Sequence, residues 1–213
     1  MKTDDLVEML AQGDVAVDAG APVRRALAAF GLALVASILL MAFQLGVMPV
    51  LADYAQRPMF WVKAAFGVST ALAAFAALRR LARPGVQPGR IGAAVAAPFL
   101  VIWLLAAVAL LRADPARRGE LMLGETWASC PANIAMLSTP VFVASLWALR
   151  DWAPTRLRLA GAAAGLAAGA TGAAVYTLHC PELAAPFLGI WYVIGMLIPT
   201  VLGALIAPRV LRW

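Results

Sequence analysis

Long apolar stretches alternate with short polar segments along the whole chain. Six of them, at about residues 26–52, 58–78, 91–111, 131–149, 159–176 and 185–207, hold almost no charge. Each approaches or exceeds the ~20 residues that a helix needs to cross the ~30 Å hydrocarbon core of a bilayer. The runs lack strict alternation of apolar and polar positions and are much longer than barrel strands, so they predict helices. The expected fold is all-α: a polytopic membrane protein with six transmembrane helices over residues 23–213, preceded by a cytoplasmic segment, residues 1–22.

Composition agrees. Of the 213 residues, 63% are hydrophobic and 13% are charged, whereas soluble domains are about 45–50% apolar and about 25% charged. The formal charge of +6 would suit a nucleic-acid partner, but the distribution of the basic residues gives it another meaning. With the N-terminus inside, Lys2, Arg24, Arg25, Arg79, Arg80, Arg83, Arg90, Arg150, Arg156, Arg158, Arg209 and Arg212 fall on the cytoplasmic side. Arg57, Arg112, Arg117 and Arg118 fall on the other side. That asymmetry puts both termini in the cytoplasm. Lys63 alone sits within a span, five residues past Pro58, from where its side chain is expected to snorkel outward. Tyr54, Trp61, Trp127, Tyr176, Trp191 and Tyr192 fall near the predicted outer interface, and Trp147, Trp152 and Trp213 near the inner one.

Two segments depart from this pattern. In the fifth span Gly161, Gly165 and Gly169 share one helix face, which lets another helix approach closely, either inside the chain or across a dimer seam. The first 20 residues carry Asp4, Asp5, Glu8, Asp14 and Asp18 against Lys2. Leu6, Met9 and Leu10 share a face at helical spacing there. An acidic amphipathic turn of this kind is repelled by anionic lipid and suits a cytoplasmic protein partner. Asp4, Asp5, Leu6, Glu8, Met9 and Leu10 are the candidate partner-binding residues, beside the alternative of a solvated, frayed terminus.

Candidate chemistry lies at the other side. The two cysteines of the chain, Cys130 and Cys180, each precede a proline and flank the fourth and fifth spans. The crossing count brings both to the outer face. His179, the only histidine, adjoins Cys180, and Glu182 follows. Three readings stay open from spacing alone: a disulfide, since the outer face of a bacterial membrane is oxidising; a soft-metal site of Cys130, His179 and Cys180, completed by Glu182, Glu125, Met122 or Met136; or two unrelated core thiols. The metal would be copper or zinc, and no other cofactor is expected. A membrane thiol–disulfide oxidoreductase normally needs a C-x-x-C or a second cysteine pair, and a transporter needs ionisable residues near the bilayer midplane. The chain has one possible cysteine pair, no C-x-x-C and spans nearly empty of charge, so both stand as the alternatives to a regulatory role. No nucleophile–base pair or phosphate-binding loop points to an enzyme.

The residues also carry a resemblance. The opening Met1-Lys2-Thr3-Asp4-Asp5-Leu6-Val7, Trp127-x-x-Cys130, Tyr176-x-x-His179-Cys180, the glycine-rich fifth span and the ending Leu211-Arg212-Trp213 resemble the NrsF-type membrane anti-sigma factors, a six-span family of bacteria. The resemblance implies an inner-membrane protein that sequesters an extracytoplasmic-function sigma factor at its cytoplasmic side and does not bind nucleic acid itself. It also implies release of that factor by a periplasmic metal or oxidant signal through Cys130 and Cys180, with the 1–22 segment contacting the sigma factor.

Overall fold

The computed structural model describes residues 3, 5, 7, 8, 20–82, 89–152 and 154–211. Among them every regular element is helical. The long helices are α1 (Ala21–Gln44), α3 (Pro58–Leu81), α4 (Ile91–Arg112), α6 (Cys130–Trp152), α7 (Leu157–Tyr176) and α8 (Ala185–Val210). All six are long and apolar enough to cross a membrane. Two short helices, α2 (Leu51–Ala55) and α5 (Arg118–Leu123), lie in the connections after α1 and α4.

Prolines place several boundaries. Pro22, Pro58 and Pro186 stand in the first turns of α1, α3 and α8, where the missing N–H has no partner to lose. Pro98, Pro140, Pro199 and Pro208 lie inside helices, which packed membrane helices tolerate. The first apolar run is shorter as a helix than its composition suggests. It stops at Gln44, because Leu45 and Gly46 both turn their N–H groups back to the Met41 carbonyl and Gly46 takes φ +77°. That is the left-handed closure glycine favours. The remainder of the run forms the loop and α2.

The glycine face of α7 packs inside the chain. A Cβ on Gly161 or Gly165 would strike the backbone of Gly203 or Pro199 in α8, and one on Gly169 would stand 2.8 Å from the Met196 carbonyl. The other sides of α7 are held as closely. A Cβ on Gly172 would meet the Ile134 carbonyl of α6 at 2.7 Å, and one on Gly67 of α3 would meet Ala174 Cα at 2.9 Å. Small residues allow this backbone-to-backbone contact, which replaces the hydrophobic drive that is absent in lipid. Helix α7 is thus the spine: 72% of its membrane-length window is buried, against 22% in α1 and 11% in α4. Ser37 pins α1 to this core by donating to the Leu137 carbonyl of α6 at 2.9 Å.

Two buried clusters mark the two ends of the bundle. One joins Ala77, Leu78, Leu149, Ala160 and Leu211. The other joins Phe66, Cys130, Tyr176, Cys180, Phe187 and Tyr192. Tyr176 and Tyr192 are fully enclosed there, so they are core residues and not interfacial anchors. Trp61 and Trp127 remain exposed.

Candidate functional site

Cys130 is the first residue of α6, and Cys180 follows the last turn of α7. Both are free thiols and both are fully buried. Thr126 connects them: its carbonyl accepts the Cys130 N–H at 3.0 Å, and its hydroxyl lies 4.0 Å from Cys180 Sγ. The Cys180 N–H is spent on the Tyr176 carbonyl at 3.0 Å, which fixes the sulfur relative to the end of α7.

A tie between two connections, the lid of this end, adjoins the pair through Thr126. The Glu182 carboxylate accepts the N–H groups of Glu125 at 2.7 Å and Thr126 at 3.4 Å. Gly124, at φ +56°, leaves the room for it, since a Cβ there would stand 2.7 Å from that carboxylate. Charge-assisted bonds of this type are about twice as strong as neutral ones. Glu182 therefore caps the 124–126 turn and ties the connection before α6 to the connection after α7. Trp191 adds a second tie by donating to the Met122 carbonyl at 2.9 Å, and its ring lies tilted by 45° against Trp127 at 5.4 Å.

Below the lid stands Lys63 of α3. It does not snorkel. Its side chain is fully buried, and Nζ donates to the carbonyls of Cys180 at 2.6 Å and Glu182 at 2.9 Å. The Tyr192 ring lies 5.3 Å from Nζ. The Tyr192 hydroxyl is buried and has no hydrogen-bond partner among the described residues. Lys63 points inward because it shares a face with Gly67, Thr70, Ala74 and Ala77, all buried. Small residues at that spacing bring the face against α7.

His179 is held elsewhere. Its Nδ1 lies 2.9 Å from the Gly46 carbonyl, next to a backbone bond from Met48 N–H to the Leu178 carbonyl at 3.1 Å. With Nδ1 on that carbonyl, Nε2 is the ring nitrogen left for other chemistry. Among the described residues no three His, Cys, Asp or Glu side chains gather as a metal-binding group. The structure thus brings Cys130 and Cys180 into one cluster, and it seats His179 against the loop after α1.

Of the N-terminal candidates, Asp5 and Glu8 are helical and exposed. Asp4, Leu6, Met9 and Leu10 lie outside the described residues. Spacing alone missed Lys63, Tyr192 and Thr126 as parts of the cysteine end. The available signal was Lys63 itself, because an ionisable residue within a span marks a functional position by default.

Comparisons with known proteins cover the same ground. The family model described as "Negative regulator of sigma F", NrsF, matches residues 10–213. A "Probable anti-sigma-F factor NrsF" of Azospira oryzae is 49% identical over 213 residues, covering all of both chains. An "Anti-sigma-F factor NrsF" of Caulobacter vibrioides is 39% identical over 220 residues, again covering all of both. No solved structure matches. The family match over residues 10–213 and the two full-length relatives show that the chain belongs to the NrsF family of negative regulators of sigma F.

Proposed function

We propose that the protein is an anti-sigma factor of the bacterial inner membrane. In this reading the N-terminal segment and the arginine-rich end of the bundle face the cytoplasm and retain a sigma factor of the extracytoplasmic-function type. The cysteine end faces the periplasm. A soft metal ion such as copper, or an oxidant, acts there on Cys130 and Cys180 and lowers the affinity for the sigma factor. The observation that carries the reading is the full-length likeness to two named anti-sigma-F factors. The enclosed, cross-tied thiol pair supports the sensory half.

The signal has to bind or modify two conformations of the protein differently, since otherwise it shifts nothing. A coupling of ~1–3 kcal/mol, typical of allostery, changes affinity roughly 5–150-fold. Burial of both thiols fits this requirement, because a reagent reaches the sulfurs only when the residues around them move. His179 enters as the latch on the loop after α1, with Nε2 as the ring nitrogen left for a metal.

The test is co-purification of the sigma factor with the full chain from membranes. Deletion of residues 1–12, or Leu6→Asp with Met9→Asp, is expected to release it and switch on its target genes without a signal. Undiminished retention by both variants would move the binding surface to Arg79, Arg80, Arg83 and Arg150. Failure of the intact chain to retain any sigma factor would overturn the reading.

A further inference from the structure

Lys63 has no part in the family resemblance, yet it occupies the centre of the cysteine end. A buried ammonium is costly unless its hydrogen bonds are met, and Lys63 meets two of them only through backbone carbonyls. Both carbonyls belong to one short segment: residue 180, which carries a thiol, and residue 182, which carries the lid carboxylate. Nζ also faces the Tyr192 ring, and the buried Tyr192 hydroxyl lacks a hydrogen-bond partner among the described residues. The cluster therefore holds one donor free to find a new acceptor and one cation whose acceptors hang on the reacting segment.

From Lys63 the connection continues through the bundle. Lys63 belongs to α3, a single helix from Pro58 to Leu81. Its face is set backbone against backbone on α7 at Gly67 and Ala174. Its far end, at Ala77 and Leu78, lies in the apolar cluster with Leu149, Ala160 and Leu211. Backbone-to-backbone packing leaves α3 little room for continuous deformation, because packed interiors switch between discrete arrangements.

We infer that Lys63 is the positioning residue that carries a change at the thiol pair into α3: the ammonium leaves the Cys180 and Glu182 carbonyls when the pair is modified, and α3 moves with it. This inference rests on the anti-sigma reading above. Two physical routes lead to the same event. An adduct that adds negative charge at sulfur draws Nζ toward it. An adduct that displaces residues 180–182 carries the two carbonyls away.

The experiment uses the full chain in nanodiscs with its sigma factor bound, and two thiol-directed probes. Silver ion replaces the thiol protons, which pass to solvent. Diamide takes two electrons and two protons from the pair, leaving a disulfide and the corresponding hydrazine. Two quantities are read in the same samples at matched amounts of folded protein: the number of thiols still open to alkylation after unfolding, and the sigma factor retained. In the wild type, at least one probe is expected to consume the thiols and lower retention by about 5-fold or more. Lys63→Met keeps the length and apolar stem of the side chain and removes both bonds. It should lose its thiols to the probe as the wild type does, while retention changes less than about 2-fold, well below that coupling range. Lys63→Arg keeps the charge and donors and should restore most of the response.

A purely structural role for Lys63 would lower the yield of folded Lys63→Met but leave its fractional response intact. That result overturns the inference and spares the anti-sigma reading. If Lys63→Met does not fold, Lys63→Gln stands in, and a wild-type response from it is equally fatal. Consumption of the thiols in the wild type without any change in retention would overturn the inference and the thiol-sensing half of that reading, and leave sigma-factor retention standing.

Discussion

The two ends of the bundle are built from different forces. At the cysteine end, polar bonds cross between segments far apart in sequence: Lys63 to residues 180 and 182, Glu182 to residues 125 and 126, His179 to Gly46, Trp191 to Met122. At the other end the buried contacts are apolar, among Ala77, Leu78, Ala82, Leu149, Ala160 and Leu211. The arginine hydrogen bond seen there, from Arg209 to the Leu205 carbonyl, stays within one helical turn. Directional bonds fix geometry at the cysteine end, whereas apolar contact carries no bond direction. A change at the first end has to break specific bonds, and at the second it repacks one close-packed arrangement into another. Helix α7 joins the ends as a backbone-packed rod.

Breaking that rod has the largest expected effect. Gly165→Leu would drive a side chain into the Pro199 carbonyl. Overpacking with no flexible neighbour to yield should cost about 3 kcal/mol. Thermal unfolding in detergent should show a large loss of stability at both ends at once. Gly31→Leu, at a site with nothing within 4 Å of a new Cβ, should leave the melting curve unchanged.

Opening the lid comes next. Glu182→Ala leaves the Glu125 and Thr126 N–H groups without their acceptor and should cost about 1–3 kcal/mol. The effect should stay local. Alkylation of Cys130 and Cys180 in the folded protein should accelerate, while protection at the apolar end, read by hydrogen exchange, stays as in the wild type. Loss of protection at both ends would show that the cysteine end is not a separable unit.

The smallest effect should come from His179→Ala. It removes one hydrogen bond to Gly46, worth about 0.5–1.5 kcal/mol, and should loosen the loop after α1 more than the lid. A response to silver that weakens while the response to diamide persists would identify His179 as a metal ligand. Equal retention of both would leave it as a latch.

Most of the fold could be read from the chain. Five of the six apolar runs match their helices to within about three residues at each end, since burial in lipid leaves few alternatives to a helix. The first run misleads because composition does not show that Gly46 closes the helix through Met41. The site was legible only in part. Crossing parity places Cys130 and Cys180 at the same end, but the direction of a side chain around its helix depends on packing. Lys63, Tyr176 and Tyr192 therefore pass for interfacial residues until the faces of α3, α7 and α8 are known. The role of Glu182 as a lid depends on the positive φ at Gly124, which no hydropathy pattern reveals.

The central claim is that the thiol pair at one end governs sigma-factor retention at the other. The direct measurement is sigma-factor retention by membranes carrying wild type, Cys130→Ser, Cys180→Ser or the double variant, with and without silver ion or diamide. The account predicts that the wild type releases the factor and that each single variant retains it in the presence of the probe. It further predicts that the double variant behaves as either single one does, because the two sulfurs act as one site. Partial losses in the single variants that add up in the double variant, or release by the double variant at the wild-type level, would contradict it.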